Sequence, residues 1–259
     1  MMRLEKYHGL GNDFLVLLDL GDRCPVDAAA VRALCDRHRG VGADGVIRVT
    51  PGPTMELFNA DGSRAEMSGN GIRCLAMAMV DAGLSGPRMV VHTDAGDKEV
   101  TVDDDGWASV DMGMAKIDPE DLGLAFVDMG NPHTVVEVED LSKLHISKRA
   151  AEWTGRNVEF VDDLYAVNGA KEGINVEYVV AGPGPEELSM RVFERGVGET
   201  QACGSGACAA AVLAHAAGLV GPRVTVHQSG GDAIVELMPD GVVLTGPAEF
   251  VCEVEFPWP

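Results

Sequence analysis

Ser68-Gly69-Asn70-Gly71 and Cys203-Gly204-Ser205-Gly206 lie 135 residues apart, and each follows an aromatic–polar pair, Phe58-Asn59 and Phe193-Glu194, at one fixed distance. The register holds downstream. Ala82-Gly83-Leu84 falls on Ala217-Gly218-Leu219, Pro87-Arg88 on Pro222-Arg223 and His92 on His227. Gly96-Asp97 falls on Gly231-Asp232, and Asp105-Gly106 on Asp240-Gly241. So many Gly, Pro and His positions do not stay in step by accident, so the chain reads as two copies of one α/β unit. Two equivalent turns can then face each other across a domain junction, which suits a reaction that treats both faces of one carbon alike.

Outward from these turns, Ala, Leu and Met dominate Ile72–Ala82, with Gly83 as a C-terminal stop, so a helix is expected there and again at Ala207–Ala217. Ala28–Arg39 has helical spacing, with Val31, Leu34, Cys35 and His38 on one side, and Leu141–Trp153 also reads as helical. Leu4–Leu18 reads as strand, turn, strand, broken at Gly9-Leu10-Gly11-Asn12-Asp13. Further strands are expected at Val46–Val49, Met55–Asn59, Met89–Thr93, Lys98–Val102 and Ala108–Met112. In the second half they fall at Phe126–Met129, Thr134–Val138, Asn175–Val180, Leu188–Phe193, Val224–His227, Ala233–Leu237 and Val242–Leu244. Gly130-Asn131-Pro132-His133 echoes Gly11-Asn12-Asp13-Phe14 at a spacing other than 135. The boundary falls between Met114 and Leu122, which gives domains 1–116 and 117–259, with either terminal strand able to cross over.

The bulk numbers exclude several classes. An apolar content of 46% over 259 residues suits a globular protein with a core. No apolar run is long enough to span a membrane. Met1-Met2-Arg3-Leu4-Glu5-Lys6 lacks the apolar segment of a signal peptide, so the cytoplasm is the default location. A net charge of −21 argues against nucleic acid and anionic membrane surfaces as partners. The six cysteines make no C-x-x-C pair and no zinc-type spacing with histidine, so neither a metal site nor a disulfide framework is expected.

Cys203 stands apart from the other five. It precedes a Gly-rich turn at the start of a helix, where unpaired N–H groups and the positive end of the macrodipole meet. Such a site is expected to lower the thiol pKa and make the thiolate available as a base. Its glycines let the backbone approach a carboxylate. Read alone, it would be a structural cysteine beside a turn; the repeat and the preceding Glu194–Thr200 stretch favour the active reading. Ser68 holds the equivalent place, where serine is also an ordinary helix N-cap. G-x-x-x-x-G-K-[ST] is absent, which leaves a nucleotide site a weak alternative. His8 and His133 lie in Gly-rich loops and are open to either a structural or a functional role.

With these residues in view, the chain resembles the diaminopimelate epimerases, cofactor-independent amino-acid racemases, over essentially its whole length. The stretches that carry the resemblance are His8–Phe14, Asn59–Ser63, Gly69–Cys74, Gly130–His133, Asn175–Glu177 and Glu194–Gly206. The resemblance implies an α/β (α+β) fold of two pseudo-symmetric domains, each a curved mixed or antiparallel sheet around a central helix, with the active site in the interdomain cleft. It implies inversion of the α-carbon of LL-diaminopimelate to the meso form by two bases, without pyridoxal phosphate or metal, and a homodimer. By the same resemblance Asn12, Asn59, Asn131, Asn175, Glu194 and Arg195 hold the substrate's polar ends, with Asn157 a second candidate for the Asn175 role. Backbone N–H groups at Gly69-Asn70 and Gly204-Ser205 bind the reacting carboxylate. The catalytic pair is Cys203 and the residue at position 68.

At that position the chain departs from the pattern it resembles: Ser68 stands where that family has its first catalytic cysteine. Cys74, one and two-thirds turns further on, lies too far from the helix start to substitute. Gly45, where a substrate-facing glutamine is common, is a lesser departure. Three accounts of Ser68 stay open: an engineered Cys-to-Ser change, slow relay through Ser68 and water, or a shift to another amino acid or to one-base elimination. The alternatives to diaminopimelate inversion are racemisation of another amino acid such as histidine, an inactive diaminopimelate-binding homologue, and a related isomerase that uses Glu194 as its base.

Overall fold

The computed structural model describes residues 2–117, 125–146, 157–161, 164–168, 174–182, 184–195 and 197–257. In chain order the first half forms β1 (Met2–Gly9), β2 (Asn12–Leu18), α1 (Ala28–Cys35), β3 (Gly45–Thr50), β4 (Thr54–Asn59), β5 (Arg64–Ala65), α2 (Gly69–Asp81), β6 (Arg88–Thr93), β7 (Gly96–Val102) and β8 (Trp107–Gly113). The second half forms β9 (Lys116–Ile117), β10 (Ala125–Asp128), β11 (Pro132–Glu137), a 3-10 turn at Leu141–Lys143, β12 (Asn157–Val161), β13 (Leu164–Asn168), β14 (Asn175–Ala181), β15 (Glu187–Glu194) and β16 (Gly198–Thr200). It ends with α3 (Gly204–Ala216), β17 (Arg223–Gln228), β18 (Gly231–Met238), β19 (Gly241–Pro247) and β20 (Glu249–Phe256). The chain divides into two compact units, Met1–Asp111 with Thr245–Pro259, and Met112–Leu244. The first unit thus takes back the last strand, β20, which pairs antiparallel with β1.

In the first unit β1 is antiparallel to β2, β2 parallel to β3, and β3 antiparallel to β4. β4 is antiparallel to β5 and parallel to β6, which leads antiparallel through β7 to β8. The second unit repeats the scheme: β10 antiparallel to β11, β11 parallel to β14, β14 antiparallel to β15, β15 antiparallel to β16 and parallel to β17, and β17 antiparallel to β18. The repeat reaches individual residue pairs. Thr54 opposite His92 becomes Ser189 opposite His227, and Phe58 opposite Arg64 becomes Phe193 opposite Glu199.

Each unit wraps its strands around one long helix, α2 in the first and α3 in the second. Gly69–Met79 of α2 are all buried, as are nine of the thirteen residues of α3. Such helices have no polar face to show to water, which is why Ala, Met and Leu fill them. Both helices end alike: Ala82 and Ala217 are helical caps, and Gly83 and Gly218 follow with φ of 65° and 74°. Left-handed backbone of this kind suits glycine.

Several expected boundaries move. Helix α2 begins at Gly69 rather than Ile72 and α3 at Gly204 rather than Ala207, because Ser68 and Cys203 cap them. Helix α1 ends at Cys35 rather than Arg39. The Asp36 side chain accepts hydrogen bonds from the His38 and Arg39 N–H groups and offers the backbone a turn instead. Of the helix expected over Leu141–Trp153, the described part contains the 3-10 turn at Leu141–Lys143, and 147–153 lies outside the described residues. No helix among the described residues is long and apolar enough to cross a membrane.

Candidate active site

Ser68 and Cys203 occupy the same local geometry. Each is an extended N-cap, with φ/ψ of −138°/125° for Ser68 and −129°/117° for Cys203. Ser68 Oγ accepts from the Gly71 N–H at 3.1 Å, and Cys203 Sγ accepts from the Gly206 N–H at 3.4 Å. At each helix start the first backbone N–H groups point out of the helix end, an arrangement of the kind that receives an anion.

Around Ser68 the neighbours form an amide chain. Asn70 Nδ2 donates to Asn12 Oδ1 at 3.1 Å, and Asn12 Nδ2 donates to Asp44 Oδ2 at 2.8 Å. The fully buried Arg73 donates to Asn70 Oδ1 at 2.9 Å and to the Gly69 carbonyl at 3.1 Å. The structure therefore brings Asn12, Gly69 and Asn70 together at one helix start. Asn59, at the end of β4, donates to Ser63 Oγ at 3.0 Å. Cys74 is fully buried and its thiol is pushed up to about 12 by burial, which marks it as a core residue. A Cβ at Gly45 would stand 2.5 Å from the Phe58 carbonyl and 3.2 Å from the Phe14 ring, so no side chain fits there without a shift.

Around Cys203 the neighbours are ionisable. The Cys203 N–H donates to Gln228 Oε1 at 2.9 Å, and Ser205 Oγ lies 3.6 Å from Sγ. Glu194 accepts a short hydrogen bond from the Thr200 hydroxyl. Asn175 Oδ1 accepts from the Arg195 N–H at 2.9 Å and so sets the turn after β15. His133 Nδ1 meets Glu177 Oε1 at 2.7 Å with both side chains wholly buried, and His133 Nε2 lies 3.0 Å from Asn131 Oδ1. Asn131, Asn175, Glu194, Arg195, Gly204 and Ser205 thus gather in the Cys203 unit. Asn157 lies in β12; its side chain lies outside the described part of the molecule.

One expectation is reversed. Cys203 is not a low-pKa thiol. Burial pushes it well above its ordinary value, and the carboxylates of Glu194 and Glu177 push the same way. The Gly206 N–H and the Ser205 hydroxyl oppose this and lose. The helix terminus is present, but desolvation in a 6% exposed site outweighs it. Burial also raises Glu194, against the Thr200 hydrogen bond.

Glu177 and Gln228 escaped the sequence reading as individual residues. The available signal was an acid in the otherwise apolar strand run Val176-Glu177-Tyr178-Val179-Val180.

Solved structures first place the architecture. The chain superposes on a phenazine biosynthesis protein of the PhzF family from Bacillus anthracis with a TM-score of 0.71 at 15% identity, covering 99% of both chains. A probable proline racemase from Agrobacterium radiobacter K84 also gives 0.71 at 15%, covering 99% of this chain and 93% of that one. The fold is therefore that of the two-domain racemase-like proteins. The family is narrower still. The diaminopimelate epimerase family model matches residues 4–117 and 125–251. The diaminopimelate epimerase of Pelotomaculum thermopropionicum is 36% identical over 298 residues, covering 99% of both chains. That of Synechococcus sp. (strain JA-3-3Ab) is 39% identical over 283 residues, covering 95% of each. The chain belongs to the diaminopimelate epimerase family and is an isomerase.

Proposed function

We propose that the protein inverts the α-carbon of LL-diaminopimelate to give the meso form by proton transfer on both faces of that carbon, with Cys203 serving one face and Ser68 the other. The observation that carries this is the matched pair of N-caps, Ser68 on Gly71 and Cys203 on Gly206, in a chain of this family. Cys203 rests as a thiol and delivers a proton to its face; its thiolate takes one from the same face in the reverse direction. On the opposite face the α-proton of the LL isomer passes to water held by the Ser68 hydroxyl, which keeps its own proton; that step is slow, so exchange at the Cys203 face, from the meso isomer, outruns inversion. A positioned acid or base contributes roughly 10²–10⁴-fold, which sets the scale of the handicap. Asn12, Asn59, Asn131, Asn175, Glu194 and Arg195 hold the substrate's polar ends. The amides of Gly69, Asn70, Gly204 and Ser205 stabilise the carboxylate as negative charge builds on the α-carbon. The chemistry draws on no cofactor or metal, and the family likeness supports a cytoplasmic homodimer. Ser68 also supports a second reading, a diaminopimelate-binding homologue that does not turn over.

The test is proton NMR of LL-diaminopimelate in heavy water with the protein and with Ser68→Cys. Loss of the α-proton signal with meso product from the unaltered chain is the expected result. Turnover by Ser68→Cys alone identifies a scaffold disabled at one base and favours the binding reading. Silence from both overturns the diaminopimelate assignment.

A further inference from the structure

Glu177 is an acid with no place in the proposed chemistry, yet the half-site is built around it. It sits on β14 with no solvent exposure. One oxygen, Oε1, is held by His133 at 2.7 Å; the other, Oε2, has no hydrogen-bond partner among the described residues. A Cβ on Gly206 would stand 2.5 Å from Oε1. Gly206 is also the residue whose N–H caps Cys203 Sγ. The carboxylate is therefore wedged beneath the turn that carries the thiol. The same His133 ring meets the Asn131 side-chain amide through Nε2 at 3.0 Å, which fixes the orientation of that amide.

We propose that Glu177 is the positioning residue of the Cys203 half-site: pinned by His133 and wedged under Gly206, its carboxylate keeps Cys203 in the thiol form before substrate binds and, through His133, aims Asn131. This rests on the two-base reading above, because it assigns Cys203 the proton-donor state at rest. A buried carboxylate interacts strongly with a nearby developing thiolate because little water screens the two charges. Of the ionisable groups on elements packed against α3, those that reach the thiol are Glu194 of β15, Glu177 of β14 and, through Glu177, His133 of β11. His227–Asp232 and Arg223–Glu236 on β17 and β18 pair with each other at the surface.

The experiment is alkylation of Cys203 by iodoacetamide as a function of pH, read on the Cys203 peptide by mass spectrometry, in the full chain and in Glu177→Gln and Glu177→Asp. The readout needs no turnover, so failure of the diaminopimelate assignment leaves it intact. Expected is a wild-type midpoint above that of a free thiol. In Glu177→Gln it moves down by about one pH unit, making alkylation near pH 7 about tenfold faster. Glu177→Asp keeps the wild-type midpoint, since the charge is retained. A Glu177→Gln profile that coincides with wild type overturns the proposal, as does a Glu177→Asp shift as large as that of Glu177→Gln, which would make packing the cause. Should Glu177→Gln fail to fold, the other two titrations decide. A wild-type midpoint at or below the free-thiol value overturns the proposal; a raised midpoint shared by Glu177→Asp supports it.

Discussion

Gly71 of the first unit closes on the methyl end of Ile47, at 3.2 Å for a Cβ built there, whereas Gly206 of the second closes on the carboxylate of Glu177. The two positions are equivalent, because Phe14 pairs with Gly45 as His133 pairs with Asn175, two residues before Ile47 and Glu177. Phe14, Gly45 and Ile47 in one unit thus answer to His133, Asn175 and Glu177 in the other. One backbone supports an apolar floor beneath a hydroxyl and an ionisable floor beneath a thiol. Duplication conserves strand pairing and caps, which depend on backbone geometry. It leaves the side chains beneath the turn free to diverge, and those side chains decide how readily the capping group gives up its proton.

The largest expected effect comes from the groups on top of the two floors. Cys203→Ala lowers α-hydrogen exchange into heavy water by about 10³-fold, within the usual range for a general acid–base group. Ser68→Ala lowers it by about tenfold or less, because a hydroxyl contributes little as a base. Equal losses would erase the functional side of the comparison. Ser68→Ala also removes the helix cap, at a cost of about 1 kcal/mol, so a denaturation curve belongs beside the kinetics.

Next in size is Ser68→Cys, expected to raise the inversion rate by about 10²-fold. The introduced thiol would have no acid beneath it, so it should alkylate at lower pH than Cys203 in the same protein. If the two thiols titrate together, the floor is irrelevant and the helix start alone sets both.

How much of this could be read beforehand follows from what each residue depends on. Ser68 and Cys203 were legible as equivalent positions beside two helix starts because glycine spacing encodes backbone geometry directly; that both cap was not. The strands and the two central helices followed from local periodicity. The sequence left open that a terminal strand crosses over; that β20 is the one, and that it pairs with β1, was not legible, because that partner lies at the other end of the chain. Arg73 drew no individual reading within a helix marked by its Ala, Leu and Met, and its bonds to Gly69 and Asn70 appear only once the helix is folded. The raised Cys203 was misread for the same reason: burial and two remote carboxylates act through space, and only the helix start is visible in sequence.

A smaller effect tests the packing of the floors. Gly206→Ala drives a Cβ to 2.5 Å from a carboxylate oxygen pinned by His133, and overpacking of this kind costs about 1–3 kcal/mol. For Gly71→Ala the nearest atoms are Ile47 Cδ1, Ser68 Cβ and Met55 Cε at 3.2–3.3 Å. Two of these are flexible ends, and alanine's higher helix propensity offsets up to about 1 kcal/mol. Chemical denaturation should show Gly206→Ala clearly destabilised and Gly71→Ala within about 1 kcal/mol of wild type. The reverse order would mean that Glu177 yields more easily than Ile47.

The smallest effect is in the acid limb, where the two units should move in opposite directions. In the first unit Asp13 is buried, which raises its pKa, yet hydrogen bonds from Arg37 and Lys6 win and bring it down to about 2 from 3.8. Its carboxylate also accepts from the Asp44 N–H at 3.1 Å, and Asp44 in turn holds Asn12. A depressed carboxyl contributes stability that is present above 3.8 and lost as pH falls toward about 2. In the second unit the place of Asp13 is taken by Pro132, and Glu194 is raised by burial above 4.5. A raised carboxyl contributes stability at low pH that is lost as pH rises through its folded value. Acidification should therefore loosen the β1–β2 turn around Asn12 between pH 3.8 and about 2 while favouring the Cys203 side. Amide exchange measured residue by residue over that window should show β2 losing protection before β11. In Asp13→Asn, β2 should be less protected at neutral pH, with little further loss on acidification. If β11 loosens first, the ion network around Asp13 is not what holds Asn12, and the polarity of the two floors does not extend to how each unit meets acid.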